Sequence, residues 1–347
     1  MNVAAAFVAR HRACLALGPA GLPEHLTWVA VTPRFRASAH VVFLGYAPGA
    51  PDPLLVAKVS RLAGASAALE REAVNLRAVQ AARPGGFDSV PRLLGLETVG
   101  DTQLLVETGL PGRVLGAALV RRRPAAYADA LLAWTVAMHA ATAVPNADRG
   151  AGETSYARLL DAPLRAVARR RPFAAAGDAL VARTRELTRP IDALPLPLVL
   201  EHGDLAAPNL LLSRPGMLGV VDWELAEPRG LPAQDLFFAL AWVAFARAGA
   251  RRTPEYVAAF HGAFFGRDAW ARPWVERYAA ALRLPREALR PLFVACWSRY
   301  VAARMARLLD PAETSLSAET VAWLRQDRFV ALWDHAVRHH DALCLAR

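Results

Sequence analysis

The chain has 347 residues, 54% of them hydrophobic, which is apolar material for two or three packed units and too much for a disordered polymer. Its formal charge of +10 is carried by arginines scattered through helical patterns, with dense runs only at 121–123 and 169–171, so it describes a solvated basic surface and no nucleic-acid partner. The longest apolar run, Leu236 to Ala246, is about half of a bilayer span, three widely spaced cysteines form neither a disulfide framework nor a zinc site, and the apolar stretch Val3 to Ala9 lacks the basic flank of an export signal; the expected setting is cytoplasmic, without a membrane.

The first hundred residues read as β-rich runs separated by turn residues: Thr27 to Thr32, Val41 to Tyr46, Leu54 to Val59, and Gln103 to Glu107. One helix interrupts them, from about Ser66 to Ala82, where Leu69, Ala73, Leu76 and Val79 recur at helical spacing before Pro84-Gly85-Gly86 stops it. After Leu110-Pro111-Gly112 the pattern turns helical, with segments near 124–143, 154–170, 175–188, 234–249, 253–265, 270–282, 286–309 and 316–339. A single β patch breaks that series: Leu210 to Leu212 and Leu218 to Val221, joined by the turn Ser213-Arg214-Pro215-Gly216. The resulting plan is α+β and two-lobed: a β-rich N-lobe over 1–107, a connection at 108–112, a helical C-lobe over 113–347, and a ligand site expected between them.

Two local features carry chemistry. Lys58 is the only lysine in a chain full of arginines, so position 58 calls for a compact ammonium rather than a planar fork. The second feature is His202-Gly203-Asp204-Leu205-Ala206-Ala207-Pro208-Asn209, an apolar strand, and Asp222-Trp223-Glu224 thirteen residues past the asparagine. Phosphoryl transfer needs a carboxylate beside the attacking hydroxyl and oxygen ligands for Mg²⁺ on the phosphates. Asp204 suits the first task. Asn209 and Asp222, at the two ends of a hairpin, suit the second, because Mg²⁺ is a hard ion that takes few protein ligands. His202 reads as a loop-bracing residue.

In this combination the segment resembles the catalytic loop and metal-binding segment of the aminoglycoside phosphotransferase and choline kinase family, which shares the protein-kinase fold. Leu55-Val56-Ala57-Lys58-Val59 resembles the strand whose lysine contacts the α and β phosphates. The helix after it supplies the partner glutamate, Glu72 or its competitor Glu70, which point to different faces; Glu72 is the choice. Leu104 to Gly112 resembles the hinge that holds the purine, placing Glu107 and Gly109 among the nucleotide-binding residues. Met138-His139-Ala140 resembles a family helix with a structural histidine, and Asp235 the aspartate that braces the catalytic loop. The turn at 33–40 departs from the family in having no glycine; Ser38 and His40, with Arg34 and Arg36, are expected to take over phosphate contact there.

The resemblance implies an enzyme that moves the γ-phosphoryl group of Mg-bound ATP or GTP onto a small-molecule hydroxyl, working as a monomer or homodimer. From residue 225 to 347 there are 17 arginines against 12 acids, a poor match for polycationic aminoglycosides. A neutral or anionic acceptor, such as a nucleoside or sugar-containing antibiotic, is expected. The Ala, Arg and Pro usage fits the GC-rich genome of an antibiotic producer, so the working expectation is self-resistance. A metabolic sugar or amino-alcohol kinase is the enzymatic alternative, and a nucleotide-binding protein without turnover the non-enzymatic one.

Overall fold

A computed structural model describes residues 3–15, 21–32, 40–61, 66–83, 85–146, 154–170, 174–213, 217–308 and 317–345. Their contacts divide into two compact units, one of residues 1–115 with 208–228, the other of 116–207 with 229–347. The segment 208–228, with the predicted hairpin, therefore packs with the β-rich unit although it lies deep in the second half of the chain.

The first unit is built on five antiparallel strands: β1 (Thr27–Val31), β2 (His40–Tyr46), β3 (Leu55–Ser60), β4 (Leu93–Val99) and β5 (Thr102–Thr108), in the order β1-β2-β3-β5-β4. Strand alternation gives the sheet two different faces. Leu55, Ala57, Leu104 and Val106 turn to one face and pack with Ala4, Phe7 and Val8 of helix α1 (Val3–His11). Lys58, paired with Leu105, and Val56, paired with Glu107, turn to the other. There Leu105 packs with Leu69 and Ala73 of α2 (Ser66–Ala82). A second, smaller sheet joins β6 (Arg113–Val114) to the hairpin Leu210–Leu212 and Leu218–Val220, whose turn residues 214–216 lie outside the described set.

Besides the two-residue β6, two of these elements were not expected. The apolar N-terminal stretch is an amphipathic lid on the sheet, and β4 is a strand despite its central glycine. The same contact explains both: a Cβ on Gly95 would come within 2.6 Å of the Phe7 ring, so the glycine admits Phe7 and α1.

The second unit is helical: α3 (Ala117–Arg122), α4 (Pro124–Thr142), α5 (Ala162–Arg170), α6 (Ala174–Thr188), α7 (Gln234–Ala248), α8 (Thr253–Phe264), α9 (Arg272–Ala281), α10 (Arg286–Leu308), α11 (Ala318–Gln326) and α12 (Arg328–Arg338). One continuous core joins α4 to α12, centred on α7, α8 and α10, with Phe237, Phe260, Phe264, Phe293 and Trp297 fully buried. The single helix expected over 316–339 is two. Asp327 separates them because its side chain accepts from the amides of Phe329 (2.8 Å) and Val330 (3.4 Å), capping α12 where α11 ends. Among the described residues no helix is long and apolar enough to cross a membrane.

Candidate active site

In the β-rich unit the site is organised by one buried lysine. Lys58 lies on β3, and its Nζ donates to Glu72 Oε1 at 2.5 Å and reaches Asp222 Oδ1 at 3.5 Å. Burial alone would lower the Lys58 pKa; the carboxylates of Glu72, Asp222 and Glu107 reverse that and raise it, so the ammonium is held charged. The helix register settles the choice of glutamate. Glu72 is buried against Lys58, whereas Glu70, two residues earlier, accepts from Gln103 Nε2 at 3.0 Å on another face.

Glu72 has a second task that its position in sequence does not reveal. Its Oε1 also accepts the backbone N–H of Trp223 at 3.0 Å, and Asn75, one turn on, donates to the carbonyls of Trp223 (2.8 Å) and Ala226 (3.0 Å). Helix α2 thus ties the Asp222-Trp223-Glu224 segment to Lys58. Asp222 itself has φ 69°, a left-handed conformation uncommon outside glycine, which re-aims its carboxylate at the hairpin's exit. Across the hairpin the Val221 amide donates to the Asn209 carbonyl at 3.0 Å, placing Asn209 beside Asp222. One amide oxygen and one carboxylate are the hard donors that Mg²⁺ accepts, with water and phosphate completing its shell. Among the described residues no three His, Cys, Asp or Glu gather as a metal cage.

Glu107 is placed by β5 on the Lys58 face, 1% exposed, and its Oε2 meets no hydrogen-bond partner. Burial pushes its carboxyl up to about 8, Glu72 and Asp222 add to the rise, and Lys58 opposes it. Gly109 lies where strand ends meet: its amide donates to Leu54 O at 2.9 Å, and a Cβ there would be 1.9 Å from Pro53 O. The glycine is therefore required by packing, and its carbonyl is the group it could offer a base. His40 opens β2, is buried, and pairs with Ser60 on the same sheet face as Lys58. Ser38 and the rest of 33–39 lie outside the described residues.

In the helical unit the loop after the short strand Val199–Glu201 is fastened residue by residue. Asp235, at the start of α7 and fully buried, accepts from the amides of His202 (2.7 Å) and Gly203 (2.9 Å). Gly203 has φ +83°, which lets consecutive amides converge on that one carboxylate. Behind Asp235 runs a buried relay: the Ala233 amide donates to Tyr278 Oη (2.9 Å), Tyr278 contacts His139 Nδ1 (2.5 Å), and His139 Nε2 contacts Asp235 (3.2 Å). Burial would raise the Asp235 pKa, but the hydrogen bond and charge of His139, together with His202, hold it below the usual carboxylate range. His202 Nδ1 accepts the amide of Asp204 at 3.2 Å, a backbone brace within the loop.

Helix α10 supplies two contacts that the sequence reading missed. Arg299 pairs with Glu201 at 2.7 Å and with Gln234, while Tyr300 donates its hydroxyl to Asp204 Oδ1 at 3.0 Å. Nothing local marks them, since Cys296-Trp297-Ser298-Arg299-Tyr300 reads as helix core. Gly230 belongs to the same network, because a Cβ there would fall 2.4 Å from Glu201 Oε2.

Three solved structures are similar in fold. An aminoglycoside-3'-phosphotransferase of type VIII is 23% identical, with a TM-score of 0.50 over 83% of this chain and 97% of its own. Choline kinase LicA from Streptococcus pneumoniae is 12% identical, with a TM-score of 0.55 over 97% and 98%. An ethanolamine kinase from Plasmodium vivax is 10% identical, with a TM-score of 0.50 over 91% and 81%. At these identities the likeness carries the fold alone, a small antiparallel lobe and a larger helical one of the protein-kinase kind. A search of curated proteins gave no match. The model of the phosphotransferase enzyme family, APH, matches residues 34–275, which include Lys58, Glu72, Asp204, Asn209 and Asp222, and the chain belongs to that family.

Proposed function

We propose that this phosphotransferase moves the γ-phosphoryl group of a Mg-bound purine nucleoside triphosphate onto a hydroxyl of a neutral or anionic small molecule, with Asp204 as the proton acceptor. The observation that carries the reading is the buried Lys58–Glu72 pair tied through Trp223 to Asp222, a charged constellation of the kind that phosphate handling needs. Lys58 supplies a fixed ammonium for the α and β phosphate oxygens. Asn209 and Asp222 would hold Mg²⁺, which when bound neutralises charge on the phosphates. Asp204 orients the acceptor hydroxyl and takes its proton as the new O–P bond forms; the bond from the γ-phosphorus to the bridging oxygen breaks, and its electron pair leaves with the nucleoside diphosphate.

Charge supports the acceptor class. Three carboxylates of the helical unit are each matched by an arginine: Asp327 with Arg304, Glu255 with Arg252, Asp334 with Arg338. A polycation would find few acids to pair with, whereas a nucleoside or sugar-containing antibiotic makes no such demand. Detoxification of an antibiotic is the biological role that fits this class.

The test is a mass-spectrometric screen of pooled antibiotics and metabolites with Mg-ATP and, separately, Mg-GTP, with Asp204→Asn as the blank. A compound that gains one phosphoryl mass only with the wild-type protein identifies reaction, acceptor and donor together. Gain of mass confined to aminoglycosides, or equal gain in the blank, refutes the proposal.

A further inference from the structure

We propose that Tyr300 is a positioning residue for the transfer step: its hydroxyl, donating to Asp204 Oδ1, fixes the carboxylate so that Oδ2 receives the acceptor's proton. The inference rests on Asp204 being the base.

The contacts that fasten residues 201–204 differ in kind. Asp235 holds backbone amides, Arg299 holds the preceding strand through Glu201, and both would be needed by any loop of this shape. Tyr300 touches a side-chain oxygen of Asp204 itself, at 3.0 Å. Its ring is locked by Phe238 and Phe329, with centroids 4.4 and 4.6 Å away. Arg304 lies over the Tyr300 and Phe329 rings at 5.9 and 5.1 Å and is itself anchored to Asp327 at 3.0 Å. The ring therefore has little freedom, and the hydroxyl direction is set before any acceptor arrives.

A phenylalanine would fill the same aromatic cage. Burying a hydroxyl is unfavourable unless it is paired, and this one is paired with Arg304 as well as with Asp204. Burial first, and then the Asp204 charge, push the Tyr300 phenol well above its ordinary value, so it stays a donor over the whole working pH range. In the reaction Tyr300 keeps its own proton. The acceptor's O–H bond breaks toward Asp204 Oδ2, its oxygen bonds the γ-phosphorus, and the nucleoside diphosphate departs with the bridging electron pair. A donor on Oδ1 also favours the ionised carboxylate, which lets Asp204 act as a base at lower pH.

The experiment follows the Asp204 carboxyl by NMR in the full chain carrying ¹³C-carboxyl aspartate, its signal identified by loss in Asp204→Asn, with hydrolysis of Mg-ATP by water as the rate assay. In Tyr300→Phe the titration midpoint of Asp204 rises by about one to two pH units. Hydrolysis falls by roughly 10- to 100-fold while KM for ATP stays within about twofold. Phe329→Leu, which loosens the same cage and keeps the hydroxyl, leaves the midpoint in place. Replacing Tyr300 by 3-fluorotyrosine, a stronger donor of nearly the same size, lowers the midpoint and covers the case of a poorly folding Tyr300→Phe. An unmoved midpoint in both Tyr300 variants, or an equal shift in Phe329→Leu, overturns the positioning role. Wild-type hydrolysis by Asp204→Asn overturns the base assignment, and this inference with it.

Discussion

Replacing Glu107 by Gln should convert a pH-sensitive fold into a less sensitive one. The wild-type side chain is a carboxylic acid buried on the Lys58 face, with Oε2 unpartnered, Glu72 and Asp222 close enough to repel its ionised form, and its titration moved from the ordinary 4.5 to about 8. Between those two values the folded chain keeps a proton that the unfolded chain has released. Raising the pH through that window therefore favours unfolding, and the loss levels off above about pH 8. At about 1.4 kcal/mol per pH unit, the wild type should lose on the order of 2 to 3 kcal/mol between about pH 6 and about pH 9. Glutamine mimics the protonated side chain and cannot ionise. The assay is urea unfolding of both proteins, followed by tryptophan fluorescence without nucleotide, across that range. Titrations elsewhere cancel in the difference, so the quantity to read is the stability of Glu107→Gln minus that of the wild type, which should grow with pH. A difference that is the same at both ends would refute the argument that Glu107 is protonated in the folded state.

Three further outcomes are expected. Glu72→Ala removes the partner of buried Lys58 and the acceptor for Trp223 N–H, and should cost about 3 to 5 kcal/mol in urea unfolding. Glu70→Ala loses only the Gln103 contact and should cost about 1 kcal/mol or less; the reverse order would mean that α2 sits in another register. Asp235→Asn retains one oxygen for two amides and sets its own amide against a buried donor, for a loss of about 2 to 4 kcal/mol by the same assay. Because the Asp235 pKa is depressed, its contribution is present above the ordinary carboxylate range and disappears as the pH falls below it, so the variant and wild type should converge in acid unfolding curves.

Much of the candidate site was legible in the chain itself. Spacing along His202 to Asp222, a single lysine at the end of an apolar run, and the change from period-two to helical patterning after Pro111 are all local signals. They were enough for the two-lobed α+β plan and for the choice of Lys58, Asp204, Asn209 and Asp222 as the residues to look for, while the kinase-like fold was implied by the family resemblance those residues carry. These features are legible because backbone periodicity and turn chemistry act over a few residues, so spacing records them directly.

What only the tertiary structure decided are pairings between residues that spacing cannot connect. Whether Glu70 or Glu72 meets Lys58 depends on the rotation of α2 against β3. That Glu107 is a buried acid follows from which way β5 alternates once it is paired with β3. Gly95 is tolerated within a strand because Phe7, far earlier in the chain, occupies the space of its missing side chain. Asp327 breaks a helix that periodicity alone would continue, because its carboxylate caps α12 and holds Arg304. Tyr300 reads as one more aromatic in a helical core until folding brings its hydroxyl, 96 residues beyond Asp204, onto that carboxylate. A sequence pattern records what a residue's neighbours along the chain require; the partner that gives a buried polar group its function is chosen by packing across the fold.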